Sequence, residues 1–195
     1  MNAEHLRGLT FTIVITNVFA ALWGFSGSMA LFGLLRMLMI SVVVMVTAIW
    51  FGIAYSFLKR AKSAPKTSSQ MKNPFGTLSY RLAVIAQFIA IPVVARILTT
   101  SGHAEAIISA VAMIVGLHFF GLIPAFKSWQ FAAVGTAMVA LAVLSLALPV
   151  YINLPSGLSL NLRQMLIGFG SAFILWLSII PTVLKSYRER LRIVG

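Results

Sequence analysis

The chain contains no cysteine and no aspartate, and its only acids are Glu4, Glu105 and Glu189. The missing cysteines exclude disulfides, thiolate metal sites and cysteine nucleophiles together. The scarcity of carboxylates weighs against Mg²⁺, Ca²⁺ and two-metal centres, which need oxygen ligands. It weighs equally against paired-acid hydrolysis. No Ser/His/Asp triad can be assembled, and HExxH is absent. None of the three glutamates falls in the middle of an apolar run, whereas proton- and sodium-coupled carriers usually keep a carboxylate within the membrane. The reading is of a protein that is not an enzyme, with no catalytic residues, no metal and no cofactor.

Charge of either sign is also scarce. Only 9% of the 195 residues are charged, against 60% hydrophobic, and the mean hydropathy is +0.99. A soluble domain carries about 25% charged residues. This chain has too little polar surface for water, so its solvent is largely lipid.

Six long apolar runs supply the rest: about 9–31, 37–58, 80–98, 106–126, 129–151 and 162–184. Each has the length of one helical crossing, about 20 residues. Lipid cannot satisfy the backbone of an open strand, so each run must be helical. The expected fold is an all-α integral membrane protein, a single domain forming a six-transmembrane-helix bundle over 1–195. A signal-peptide reading of the first run is disfavoured, because the run exceeds a usual signal core of about 7–15 residues. Residues 59–79 differ in kind. They are basic, rich in Ser and Thr, and carry Pro65 and Pro74, which reads as a mobile loop.

Orientation follows from the cations. With the N-terminus inside, 12 of the 15 Lys and Arg fall on the cytoplasmic side, and only Arg36, Arg96 and Arg163 fall outside. Both termini are therefore expected in the cytoplasm. The net charge of +12 is better explained by orientation and by anionic lipid at the basic loop and C-terminus than by nucleic acid. Tyr55, Tyr80, Trp129 and Tyr187 near the inner boundary, and Tyr151 near the outer one, form the expected aromatic belts.

Small residues spaced four apart mark helix contacts: Gly24 and Ser28 in the first run, Gly168 and Ala172 in the sixth. Packing within one monomer is the expected use, with a second copy of the chain or another protein as the rival partner.

The polar residues within or beside the runs are the candidate ligand-binding set: Asn17, Gln87, Arg96, Glu105, His118 and Gln164. His118 is expected to face the bundle interior, hydrogen-bonded to Asn17 or Gln87, or to act as a relay or substrate contact. His103 lies 15 residues earlier on roughly the same helical face, but a haem pair would need a second copy. Arg96 is only 15 residues, about 22 Å, from Arg81. It is therefore inset, and Glu105 is its expected counter-charge.

The segment 95–148 carries Ala95-Arg96, His103-Ala104-Glu105, Val115-Gly116-Leu117-His118-Phe119 and Ala125-Phe126 before an alanine-rich helix. It resembles a group of small bacterial multi-pass membrane proteins of unassigned function with a Gly-Leu-His-Phe run. That group usually continues with Leu-Pro, where this chain has Phe120-Gly121. The resemblance covers about a quarter of the chain and implies a bacterial inner membrane without implying an activity. Two functions remain. One is binding or transport of a small neutral or anionic solute, lined by Asn17, Gln87, His118 and Gln164. The other is an accessory, sensor or structural subunit acting through a protein partner.

Overall fold

A computed structural model describes residues 3–64, 74–155 and 157–194, the side chains of Pro74 and 188–194 excepted. The chain is almost entirely helical. In order it forms α1 (Ala3–Met29), α2 (Gly33–Ser63), α3 (Leu78–Thr100), α4 (Ile107–Phe126), α5 (Gln130–Leu146) and α6 (Leu162–Val194). Short 3-10 turns precede α3 and α4, and a two-stranded hairpin, β1 (Tyr151–Asn153) and β2 (Ser159–Asn161), precedes α6. The helices α1, α2, α3, α4 and α6 are long and apolar enough to cross a membrane, and α5 is a shorter apolar helix of 17 residues.

Several boundaries differ from the sequence reading. The fifth run was expected to be helical to Tyr151, but α5 ends at Leu146. Pro149 lacks an N–H and pushes Leu148 out of the helical region, so the helix cannot continue through them. The β-branched and aromatic residues that follow pair instead as strands, Tyr151 opposite Asn161 and Asn153 opposite Ser159. Gly157, at φ 81°, supplies the left-handed residue of the connecting turn. The expected loop 59–79 is shorter than its composition suggests. Helix α2 runs on to Ser63 because Lys, Arg and Ala are good helix formers, and Arg60 and Lys62 suit its C-terminal dipole. The remaining expectation of mobility falls mostly on residues 65–73, outside the described residues. Helix α6, expected to end near Leu184, continues to Val194.

The helices pack in the order α2–α1–α6, then α5 and α4 against α6, with α3 outermost on α4. Two apolar cores result. One joins α1, α4, α5 and α6 through Ala20, Trp23, Ala112, Met138, Ile167 and Leu175. The other joins α1, α2 and α6 through Leu6, Ile13, Trp50, Phe57, Ile179 and Val183. Helix α6 belongs to both, whereas α3 has no buried residue.

Glycine sits at each major crossing. A Cβ on Gly24 would lie 2.8 Å from Val43 of α2, and one on Gly168 would overlap the Gly27 backbone of α1. A Cβ on Gly135 would meet the Gly116 carbonyl at 2.7 Å, and one on Gly121 would meet Ala83 of α3 at 2.8 Å. In lipid the water-driven hydrophobic term is lost, and close backbone approach with van der Waals contact is what holds helices together. The small residues singled out in the first and sixth runs are thus engaged within the monomer.

The start of α1, the end of α2 and the C-terminal part of α6 meet in one cluster, where Leu6, Ala61 and Val183 share a core. At the same end Phe75 stacks edge-on against Phe11 of α1, Tyr80 of α3 and Phe126 of α4, with centroids 5.0 to 5.4 Å apart. This is the basic end of the bundle, carrying Arg7, Lys59, Arg60, Lys62, Arg81, Lys127 and Lys185. The hairpin and Arg36, Arg96 and Arg163 belong to the opposite end.

Candidate functional site

The polar residues expected to line one path are dispersed to separate jobs. Asn17 is fully buried. Its amide donates to the Thr47 carbonyl of α2 at 3.0 Å, and its oxygen accepts from the Trp176 indole N–H of α6 at 2.9 Å. One side chain thereby clamps three helices, and none of its strong valences points into a lumen.

His118 does face a neighbouring helix, but its partner is neither Asn17 nor Gln87. Its Nδ1 lies 3.0 Å from the Ala83 carbonyl of α3. The ring N–H donates to an oxygen that the close Gly121–Ala83 crossing brings within reach. Gln87 is half-buried one turn further along α3. His103 does not share the α4 face either, since it lies before the helix as the cap of the 3-10 turn. That removes the two-histidine arrangement a haem would need.

The expected Arg96–Glu105 pair is absent. Arg96 is exposed and forms no ion pair among the described residues, and Glu105 lies beside His103 instead, Nδ1 to Oε1 3.6 Å. The physical reason is position on the helix. Ala83 faces α4, and Arg96, 13 residues on, is turned about 140° away from it at 100° per residue. Four residues from the end of α3, its side chain can reach the boundary at that end of the bundle by snorkelling and needs no counter-charge.

Arg36 and Arg163 have a use that spacing alone did not reveal. Arg36 Nε donates to the Leu31 carbonyl at 2.6 Å, just past the end of α1. Arg163 donates to the Leu148 carbonyl at 3.1 and 3.0 Å and to Leu146 at 3.2 Å, at the end of α5. Each guanidinium satisfies carbonyls that a helix C-terminus leaves unpaired and sits in its partial negative charge.

Further buried contacts were not legible as a site. The Ser145 and Ser109 hydroxyls share a hydrogen bond of 2.8 Å, linking α5 to α4. Trp176 was missed because an indole inside an apolar run reads as core. Thr47 Oγ1 and Ser171 Oγ are buried without a hydrogen-bond partner among the described residues.

One open cavity of about 900 Å³ lies at the end opposite the basic cluster, between the start of α4, the hairpin and the start of α6. Its polar lining is Glu105, Tyr151, Asn161 and Gln164, and Ile107, Ile108, Val111 and Val150 supply apolar walls. Gln164 Nε2 donates to the Ser26 carbonyl at 3.0 Å, and Asn161 Oδ1 accepts from the Gln164 backbone N–H at 3.0 Å. Of the six candidate residues, only Glu105 and Gln164 come together here. The deepest lining residue on α4 is Val111, seven positions or about 10 Å short of His118.

No family model, curated protein or solved structure matches the chain.

Proposed function

We propose that the chain is a six-span protein of the bacterial inner membrane that works as an accessory or sensor subunit through a protein partner. Its N-terminus, C-terminus and basic loop face the cytoplasm, against anionic lipid. The observation that carries this reading is the use made of the intramembrane polar groups. Asn17, His118 and the Ser109–Ser145 pair are spent on helix-to-helix hydrogen bonds, which suits a bundle built to hold its shape. A carrier would need such groups turned toward a path.

The orientation rests on the 12-to-3 distribution of Lys and Arg together with the gathering of most of the described basic positions at one end of the bundle. The six-span count rests on α5. At 17 residues it is about 25 Å long, enough to cross where the bilayer thins slightly around it. The bacterial setting rests on the likeness of residues 95–148 to the Gly-Leu-His-Phe group.

The test has two arms. Single cysteines at Lys62 and Leu158 report sidedness: a membrane-impermeant thiol reagent added to intact cells labels the second and not the first. Proteoliposomes of the purified chain then show no swelling above empty vesicles with small neutral or anionic solutes. Solute-specific swelling would replace this reading by the second one, transport of such a solute, which the open outer cavity favours.

A further inference from the structure

We infer that the outer cavity is a binding site for a primary ammonium group carried on a short apolar stem. The charge that lines the cavity decides the sign of the ligand: Glu105 is the charged residue of the lining, and Arg36, Arg96 and Arg163, at the same end, are not among the lining residues. Arg36 and Arg163 are turned onto main-chain carbonyls past the ends of α1 and α5, where the helix dipoles offset them. Glu105 lines the cavity itself, and its near neighbour His103 is cationic only when protonated.

The neutral lining completes the acceptor set. Because the Gln164 amide N–H is committed to the Ser26 carbonyl, its Oε1 remains as an acceptor. An ammonium has three donors and no acceptor. A carboxylate and an amide oxygen lining the same cavity therefore match it better than they match an alcohol or a carboxylate. Ile107, Ile108, Val111 and Val150 give the stem an apolar surface, as in ligand sites where few polar groups fix orientation. The site is independent of the partner-subunit reading and would serve as a sensor's input. Either a soluble amine or the headgroup of an aminophospholipid in the outer leaflet supplies this chemistry.

Calorimetric titration of the purified chain in phosphatidylcholine nanodiscs with n-hexylammonium tests the inference. Saturable binding is expected, weakened about tenfold or more by Glu105→Gln, the loss that follows removal of a hydrogen bond to a charged group. Glu105→Asp, which keeps the charge, should retain most of the affinity and shows that the fold tolerates change at this exposed position. Adding phosphatidylethanolamine to the discs lowers the apparent affinity if the headgroup is the occupant and leaves it unchanged if soluble amines are. Equal binding by wild type and Glu105→Gln, or equal competition by hexanol or hexanoate, would overturn the assignment.

Discussion

Helices α3 and α6 both qualify by length and apolarity as membrane spans, yet they occupy opposite places in the bundle. Helix α6 touches both cores and buries Ile167, Ser171, Ala172, Leu175, Ile179 and Val183. Helix α3 has no fully buried residue and, among the long helices, leans chiefly on α4. Hydropathy cannot distinguish them, because lipid and protein interior are equally apolar. Side-chain size does. Helix α6 carries Gly168, Gly170, Ser171 and Ala172 where it meets α1 and α5, so its backbone comes close to theirs. Helix α3 has no glycine at all and presents Ile85, Phe88, Ile89, Val93 and Ile97 outward.

The largest effect is therefore expected at Gly168. Gly168→Leu forces the α1 and α6 backbones apart, since the clash is with the backbone of Gly27 and cannot be relieved by a rotamer. A loss of about 3 kcal/mol or more is expected, at the upper end of overpacking, measured by denaturation in detergent micelles. A Gly168→Leu protein of wild-type stability would mean that α6 is not the central helix.

A smaller loss is expected where a hydrogen bond, not a crossing, is removed. His118→Phe deletes the link to Ala83 and should cost about 1 kcal/mol, within the range for interhelical hydrogen bonds in membranes. The loss should be local. A cysteine at Ala83 should react faster with a thiol reagent in the variant, while one at Ser171 should not. Equal change at both positions would contradict the separate attachment of α3.

The smallest effect is expected on the outward face of α3. Ile89 is 59% exposed, and Ile89→Ala should shift stability by no more than about 0.5 kcal/mol, as surface substitutions do. A loss of 2 kcal/mol in native membranes, but not in micelles, would reveal a partner seated on this face.

The same contrast explains what could be read in advance. The helices were legible because apolar runs of crossing length have one stable form in lipid. The end of α5 was not, because Ala147-Leu148 continue the apolar run, and only the backbone consequence of Pro149 stops it. Of the candidate set, only Glu105 and Gln164 line the cavity, and the rest are spread over other contacts. His118 was expected to have an interhelical partner, whereas Asn17 and Gln164 were expected to line a solute path, and all three donate to main-chain carbonyls of other helices. The partners are a Thr47 carbonyl, an Ala83 carbonyl, a Ser26 carbonyl and a tryptophan, and carbonyls leave no trace in residue identity. The Arg96–Glu105 pairing failed because charge complementarity was weighed without the helical phase that turns Arg96 outward.

The central claim is that the intramembrane polar groups act as packing clamps, and the Asn17–Trp176 contact tests it most directly. A double-mutant cycle with Asn17→Leu and Trp176→Phe, followed by unfolding in micelles, isolates the pairwise energy. A coupling of about 1 kcal/mol is predicted, so that the double variant loses less than the sum of the single ones. Additive losses would contradict the clamp and leave Asn17 free for another use.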